Sequence, residues 1–324
     1  MKIILFHFAR ILPVLFLALC VGCPFTAPVP DTETSSPGTT SEEYLGKPVP
    51  HVEPLVPRFD EEPTDKSAEE TTTGTVADSL GKYAAEVVPM PPIDHLTAQA
   101  DEYMTKLGTN LESLDGTTRY TSDAADIVRD ASALSLVALS IGLAEVDSKY
   151  KKAAPQMMEA AQSLAVAKSL AEGQKAYEGL KSALTSTSGG TPLSWSVKAA
   201  QLTPLMKAVP NLNSAVKRQT NTERKLSLQL ERSPQQIYGA LAALAAISQG
   251  SIANVSETSK PESVAEWKKY CEEFRDATLK VNNVTRQYAE KETDYAAFKT
   301  AMNAMSASCD HCHAVFYPSA VGKD

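Results

Sequence analysis

Asp294-Tyr295-Ala296-Ala297-Phe298-Lys299-Thr300-Ala301-Met302, followed a few residues later by Cys309-Asp310-His311-Cys312-His313, is the stretch that decides how this chain is read. It forms the last helix expected in the sequence, running from about Glu290 to the cysteines. On a helix, residues at i, i+3 and i+4 share one face, so Cys309, Cys312 and His313 present two thiols and an imidazole side by side. His311 points away from that face and is expected to be a solvated residue.

In an exported chain a Cys-x-x-Cys-His pentapeptide is the arrangement that attaches a c-type haem. Each thiol forms a thioether with one haem vinyl group, and an imidazole nitrogen of His313 reaches the iron. A zinc site would want a fourth ligand, and His95, far upstream, is the only distant histidine near a helix; a thioredoxin-like Cys-x-x-Cys would want a βαβ context that the sequence lacks. One covalent haem c per chain is therefore the expected cofactor. Only 11 residues come after His313, and none is Met or His, so a sixth iron ligand cannot come from downstream.

Export is read from the N-terminus. Lys2 and Arg10 form a basic region, Ile11 to Gly22 is an almost unbroken apolar run too short to span a bilayer, and Cys23 follows a glycine. The Cys20-Val21-Gly22-Cys23 junction resembles the lipobox of bacterial lipoproteins. Residues 1–22 are expected to be a cleaved signal, with Cys23 as the lipidated residue. This places the protein on the periplasmic side of a bacterial membrane; a plain signal peptide cut elsewhere would leave it soluble in the periplasm. Cys271, Cys309 and Cys312 then remain in the body, too few for a disulfide framework.

Residues 23–87 read as a disordered tether rich in Pro, Thr and Glu, with no apolar period able to offset its ordering entropy. Residues 24–80 hold 12 Asp plus Glu against 3 Lys plus Arg, so the formal net charge of −8 belongs to this segment and the remainder is close to neutral. The pI near 5.3, with no concentrated basic face, excludes a nucleic-acid partner.

The body is expected to be all-α. The chain is 43% hydrophobic but only 6% aromatic, and abundant Ala favours helices packed through small residues. Helical spacing marks Asp94 to Leu114, Ser122 to Val146, two helices between Lys149 and Leu184, a Pro-interrupted segment from Trp195 to about Arg224, and helices over Pro234 to Val255 and Glu262 to about Arg286. Thr185 to Pro192, with Gly189 and Gly190 adjacent, breaks the series. An internal repeat appears at an offset of 118 residues: Val166, Ala171, Glu172, Tyr177, Lys181 and Ala183 recur as Val284, Ala289, Glu290, Tyr295, Lys299 and Ala301. The expected architecture is two tandem four-helix bundles, over 88–190 and 191–324.

The stretch from Asp294 to His313 resembles the end of cytochrome c′, the class II cytochromes c. Met104-Thr105-Lys106-Leu107-Gly108-Thr109-Asn110-Leu111 is similar to that family's first helix, where a Met or Leu sits against the distal haem face. In the second half, Leu205-Met206-Lys207 falls at this place. The resemblance covers about residues 88–324 and implies a haemless first bundle, because Thr191, Ser194 and Trp195 stand where the second has Cys309, Cys312 and His313. It also implies Leu205 and Met206 as distal-face residues, with Met206 as a possible sixth ligand. There are departures: Phe316 keeps the aromatic expected after the haem histidine, but Tyr317 replaces an Arg. The base expected four residues before the distal position is missing, since Gln201 and Leu202 stand there. Pro204 and Pro210 are expected to bend this helix.

The function expected is one-electron transfer with a redox partner protein in the cell envelope, by a membrane-tethered cytochrome. The alternative is a five-coordinate haem module that binds or senses a small gas such as NO or CO. No acid–base constellation points to an enzyme. The two bundles are expected to form an intramolecular pseudo-dimer. Cys271 reads as a partly buried thiol, Trp195 and Trp267 as packing aromatics, Tyr177 and Tyr295 as core bulk, and Asn254 and Asn283 as unmodified glycosylation matches.

Overall fold

The computed structural model describes residues 87–114, 120, 124–185 and 189–320. The signal segment, Cys23 and the tether lie outside the described residues. Those that are described are helical, with no strand among them. In chain order the helices are α1 (Ile93–Ser113), α2 (Ala125–Leu143), α3 (Ala154–Ala165), α4 (Leu170–Ala183), α5 (Leu202–Thr220), α6 (Glu223–Arg232), α7 (Pro234–Gly250), α8 (Val264–Ala289) and α9 (Tyr295–Phe316). A 3-10 turn, Ser251–Glu257, extends α7.

Local chemistry explains the boundaries. Ser169 caps α4 by accepting from Glu172 N, Thr222 caps α6 by accepting from Lys225 N, and Asp294 caps α9 by accepting from Ala297 N. Gly189 and Gly190 take φ of 108° and 91°, which side-chain-bearing residues resist, so the chain turns here after α4. The Pro-interrupted segment is shorter than expected: residues from Trp195 to Gln201 are turns, and the helix begins at Leu202. Pro204 sits in its first turn, where no backbone partner is lost, so of the two prolines only Pro210 is interior. The separate helix α6 was not expected.

Neighbouring helices pack as α1 on α2, α2 on α3, α3 on α4 and α4 back on α1; in the second half α5 packs on α7, α7 on α8 and α8 on α9. The halves meet because α7 also packs on α1 and α2, and α5 on α2. Helices α2 and α7 are the central pair. Residues 130–141 of α2 and 237–250 of α7 are buried on every side, as an Ala-, Ser- and Leu-rich helix must be when it is enclosed. Gly250 leaves room for the Leu136 side chain, which a Cβ there would strike. One cluster of buried side chains accordingly runs from Leu96 through Leu136 and Ile247 to Met305. A smaller cluster, Ile252, Val255, Trp267, Cys271 and Phe316, lies at one end of the second half.

The repeated residues keep matching contacts. Tyr177 Oη donates to Met104 O on α1 at 2.9 Å, and Tyr295 Oη donates to Thr220 O on α5 at 2.8 Å. The Lys181 and Lys299 ammonium groups lie over those rings, 5.3 and 5.8 Å from the centroids. The helix breaks do not follow the same register, since Tyr177 lies inside α4 and Tyr295 opens α9.

Candidate functional site

Helix α9 carries Phe298, Ala301, Met302, Met305 and Ser308 on its buried face, and the same face leads into the cysteines. Cys309, Cys312 and His313 are half-buried, whereas His311 is exposed. Cys309 packs against the main core and Cys312 against the smaller cluster, so the motif bridges the two. Phe316 fixes the end of the helix, with its ring 5.1 Å from Trp267 and 6.1 Å from Tyr270 in edge contacts, and Ser259 Oγ donates to Phe316 O at 2.7 Å. Tyr317 N donates to His313 O at 2.8 Å, and its ring stands edge-on to the imidazole at 6.2 Å.

Opposite α9 lies α5, and the space between them, with α7 and α8 as floor, is a cleft of two contiguous hollows. The inner one, of about 160 Å³, is lined by Cys309, Cys312 and His313, by Met206, Val209, Pro210 and Asn213 of α5, and by Ile247, Trp267, Cys271 and Phe274. The outer one, of about 630 Å³, shares Met206, Trp267, Cys312 and His313 and adds Thr203, Lys207, Glu257, Ser259 and Tyr317. The structure thus brings Met206 to the three residues of the motif. Leu205 is fully buried in the shared core and is not among the residues lining either hollow. Helical geometry is the reason: adjacent residues diverge by about 100°, so only one of the pair can face the cleft.

Burial pushes the Cys312 thiol up to about 11, with the Glu273 charge adding to the effect, and raises the fully buried Cys271 well above the usual thiol range. These two thiols are poor nucleophiles at neutral pH. His95 is engaged elsewhere, stacked on Tyr238 at 4.5 Å and 3.4 Å from Asn282 Nδ2, and does not line the cleft. Among the described residues no three His, Cys, Asp or Glu side chains converge on a point as a metal ion would need. Glu257 is fully used. Burial would raise its carboxyl, but Lys198, Leu202 N at 2.8 Å and Asn254 Nδ2 at 3.0 Å overcome this and hold it below its usual range.

The donor set fits a haem. Two thiols and one imidazole share a helix face along a cleft whose walls are Val209, Pro210, Ile247, Trp267 and Phe274, a surface suited to a flat apolar ring. Two buried polar atoms on the inner hollow, Asn213 Oδ1 and Ser251 Oγ, have no hydrogen-bond partner. Pro210 has no N–H to give the carbonyl of Met206, its partner one turn back. Sequence reasoning missed Asn213, Ser251, Phe274 and Lys207, because none belongs to a motif and only the packing of α5 on α7, α7 on α8 and α8 on α9 brings them to the cleft. The alignment of Lys207 beside Met206 was visible in the sequence; its position on the cleft was not.

No known protein family, curated protein or solved structure matches this chain.

Proposed function

We propose that the chain is an exported, membrane-tethered c-type cytochrome that exchanges single electrons with a redox partner protein in the cell envelope. The observation that carries this reading is the convergence of Cys309, Cys312 and His313 with Met206 on one apolar cleft. The haem would supply a one-electron iron couple held in a low-dielectric site. Cys309 and Cys312 would hold the haem, each thiol adding across one vinyl double bond with its hydrogen passing to the adjacent carbon, so attachment would consume no external oxidant. His313 would offer its imidazole nitrogen to the iron, and Tyr317 and Phe316 fix the end of the helix that bears it. Met206 is the one thioether lining both hollows and would be a further candidate ligand.

The second reading, capture of a small gas by a five-coordinate haem, is favoured by Ser251, whose unpartnered hydroxyl lines the inner hollow and can donate to a bound diatomic. Unpartnered polar atoms in an apolar cavity cost about 1–3 kcal/mol each and suit a bound molecule that hydrogen-bonds to them. Visible spectra of the ferric and ferrous protein, with and without CO, separate the two. A low-spin ferrous spectrum unmoved by CO supports Met206 ligation and electron transfer; a high-spin spectrum shifted by CO supports the gas reading.

The same proposal covers the architecture. Helices α1 to α4 and helices α5, α7, α8 and α9 are read as two duplicated four-helix bundles, the first haemless and the second the haem carrier. The matched Tyr177 and Tyr295 contacts support duplication, and the seam between α2 and α7 supports an intramolecular pseudo-dimer. Lipidation of Cys23 would hold both at the membrane, with residues 24–87 as tether; labelling with a radioactive fatty acid, lost in Cys23→Ala, tests it.

A further inference from the structure

The two hollows differ in chemistry. Apart from the motif, Asn213 and a few hydroxyls, the inner one is walled by aliphatic and aromatic side chains; the outer one opens among Thr203, Lys207, Glu257, Ser259 and Tyr317. Lys207 is the only lysine or arginine lining either hollow. The other charged groups facing the cleft are Glu257 from the 3-10 turn and Asp310 beside the motif, and α8 contributes the neutral Tyr270 and Cys271. Glu257 does not neutralise Lys207, because its oxygens already meet Lys198, Leu202 N and Asn254.

A haem has two unlike edges. Its vinyl edge is apolar and goes to the cysteines; its opposite edge carries two carboxylates that need a cation or water. Cys309 lines only the inner hollow, whereas Cys312 and His313 line both. A ring held at Cys309 in the inner hollow would turn its polar edge toward the outer hollow, where Lys207 lies. We infer that Lys207 is the cationic partner of the haem carboxylates, binding the edge that faces the outer hollow and raising the midpoint potential of the iron. This rests on the haem reading above.

Electrostatics sets the sign. A positive charge near the ring favours the ferrous state, which carries one less positive charge than the ferric. The test is an equilibrium redox titration of the full-length, haem-loaded protein and its Lys207→Gln, Lys207→Glu and Lys207→Arg variants, at low and high salt. The midpoint is expected to fall in Lys207→Gln, to fall further in Lys207→Glu and to stay in Lys207→Arg. The Lys207→Glu shift is expected to shrink at high salt, because this edge is open to solvent. Lys175→Gln, an exposed α4 substitution, should leave it unchanged. Equal midpoints across the Lys207 series would overturn the inference, as would a fall shared by Lys207→Arg, which would mark a structural role. Absence of haem from the unsubstituted protein would instead sink the functional reading itself.

Discussion

Tyr177 and Tyr295 make the same kind of contact in the two halves of the chain, yet the segments C-terminal to them differ. After Tyr177, α4 ends at Ala183 and the backbone turns through Gly189 and Gly190, so Thr191 and Ser194 lie outside any helix and Trp195 is buried. After Tyr295, α9 continues to Phe316 and carries Cys309, Cys312 and His313 on a single face. The tyrosine contacts are alike, but only the longer helix brings two thiols and an imidazole to a cleft. On the proposed reading a haem site requires both the residues and the helix beneath them, and the first half has neither.

The largest effect expected is on haem attachment. Cys309→Ser with Cys312→Ser should abolish covalent haem, read by haem staining of the denatured chain. Thr191→Cys, Ser194→Cys and Trp195→His together should gain none, because a turn does not present i, i+3 and i+4 on one face. Haem in the grafted first half would break the comparison.

Next in size is the seam that joins the halves. Leu136 is fully buried where Gly250 of α7 meets it, so Leu136→Ala should lower stability by about 2–5 kcal/mol. Trp195, although past residue 190, lies beside α1 and α2, and Trp267 lies in the smaller cluster of the second half, so each reports a different region. Denaturant titration monitored by their fluorescence, each studied with the other replaced by Phe, should show both transitions moving together; displacement of only one would mean the halves fold apart.

The thiols of the second half are the third point. In the haem-free chain Cys312 should alkylate about 100-fold more slowly at pH 8 than a thiol of pKa 9.0, since its own lies at about 11. This shift also fixes the sign of the linked stability. The folded state keeps a proton that the unfolded state releases, so stability contributed by Cys312 is whole below pH 9 and declines as pH rises through 11. Alkylation at the rate of an exposed cysteine would contradict this burial. The smallest effects are those of Tyr177→Phe and Tyr295→Phe, each expected to cost about 0.5–1.5 kcal/mol for one lost hydrogen bond. A marked inequality between them would weaken the equivalence of the halves.

Much of this was legible in the sequence because it is local. The Gly189-Gly190 turn and the period of α1 each announce themselves within a few residues, as does the helical face shared by Cys309, Cys312 and His313, whereas α9 begins at Tyr295, capped by Asp294, later than the Glu290 expected. The constant offset of 118 also aligned Tyr177 with Tyr295, whose matched contacts it could not foresee. Tertiary packing decided the features that escaped. Leu205 and Met206 are adjacent and equally apolar, and only the placement of α2 against α5 shows that Leu205 turns inward. The short α6 was hidden between two longer apolar runs, though Thr222 is a ready cap. Asn213, Ser251 and Lys207 carry no pattern at all; they become visible when three helices enclose a common space.

The central claim is that Cys309 and Cys312 hold a haem covalently. The most direct measurement is acid-acetone extraction of the full chain produced in a host with cytochrome c maturation, and then the ferrous spectrum of the precipitated protein. Haem that stays with the protein, one per chain, and that is released in Cys309→Ser/Cys312→Ser, is the result predicted. A colourless precipitate from the unsubstituted chain would contradict the account.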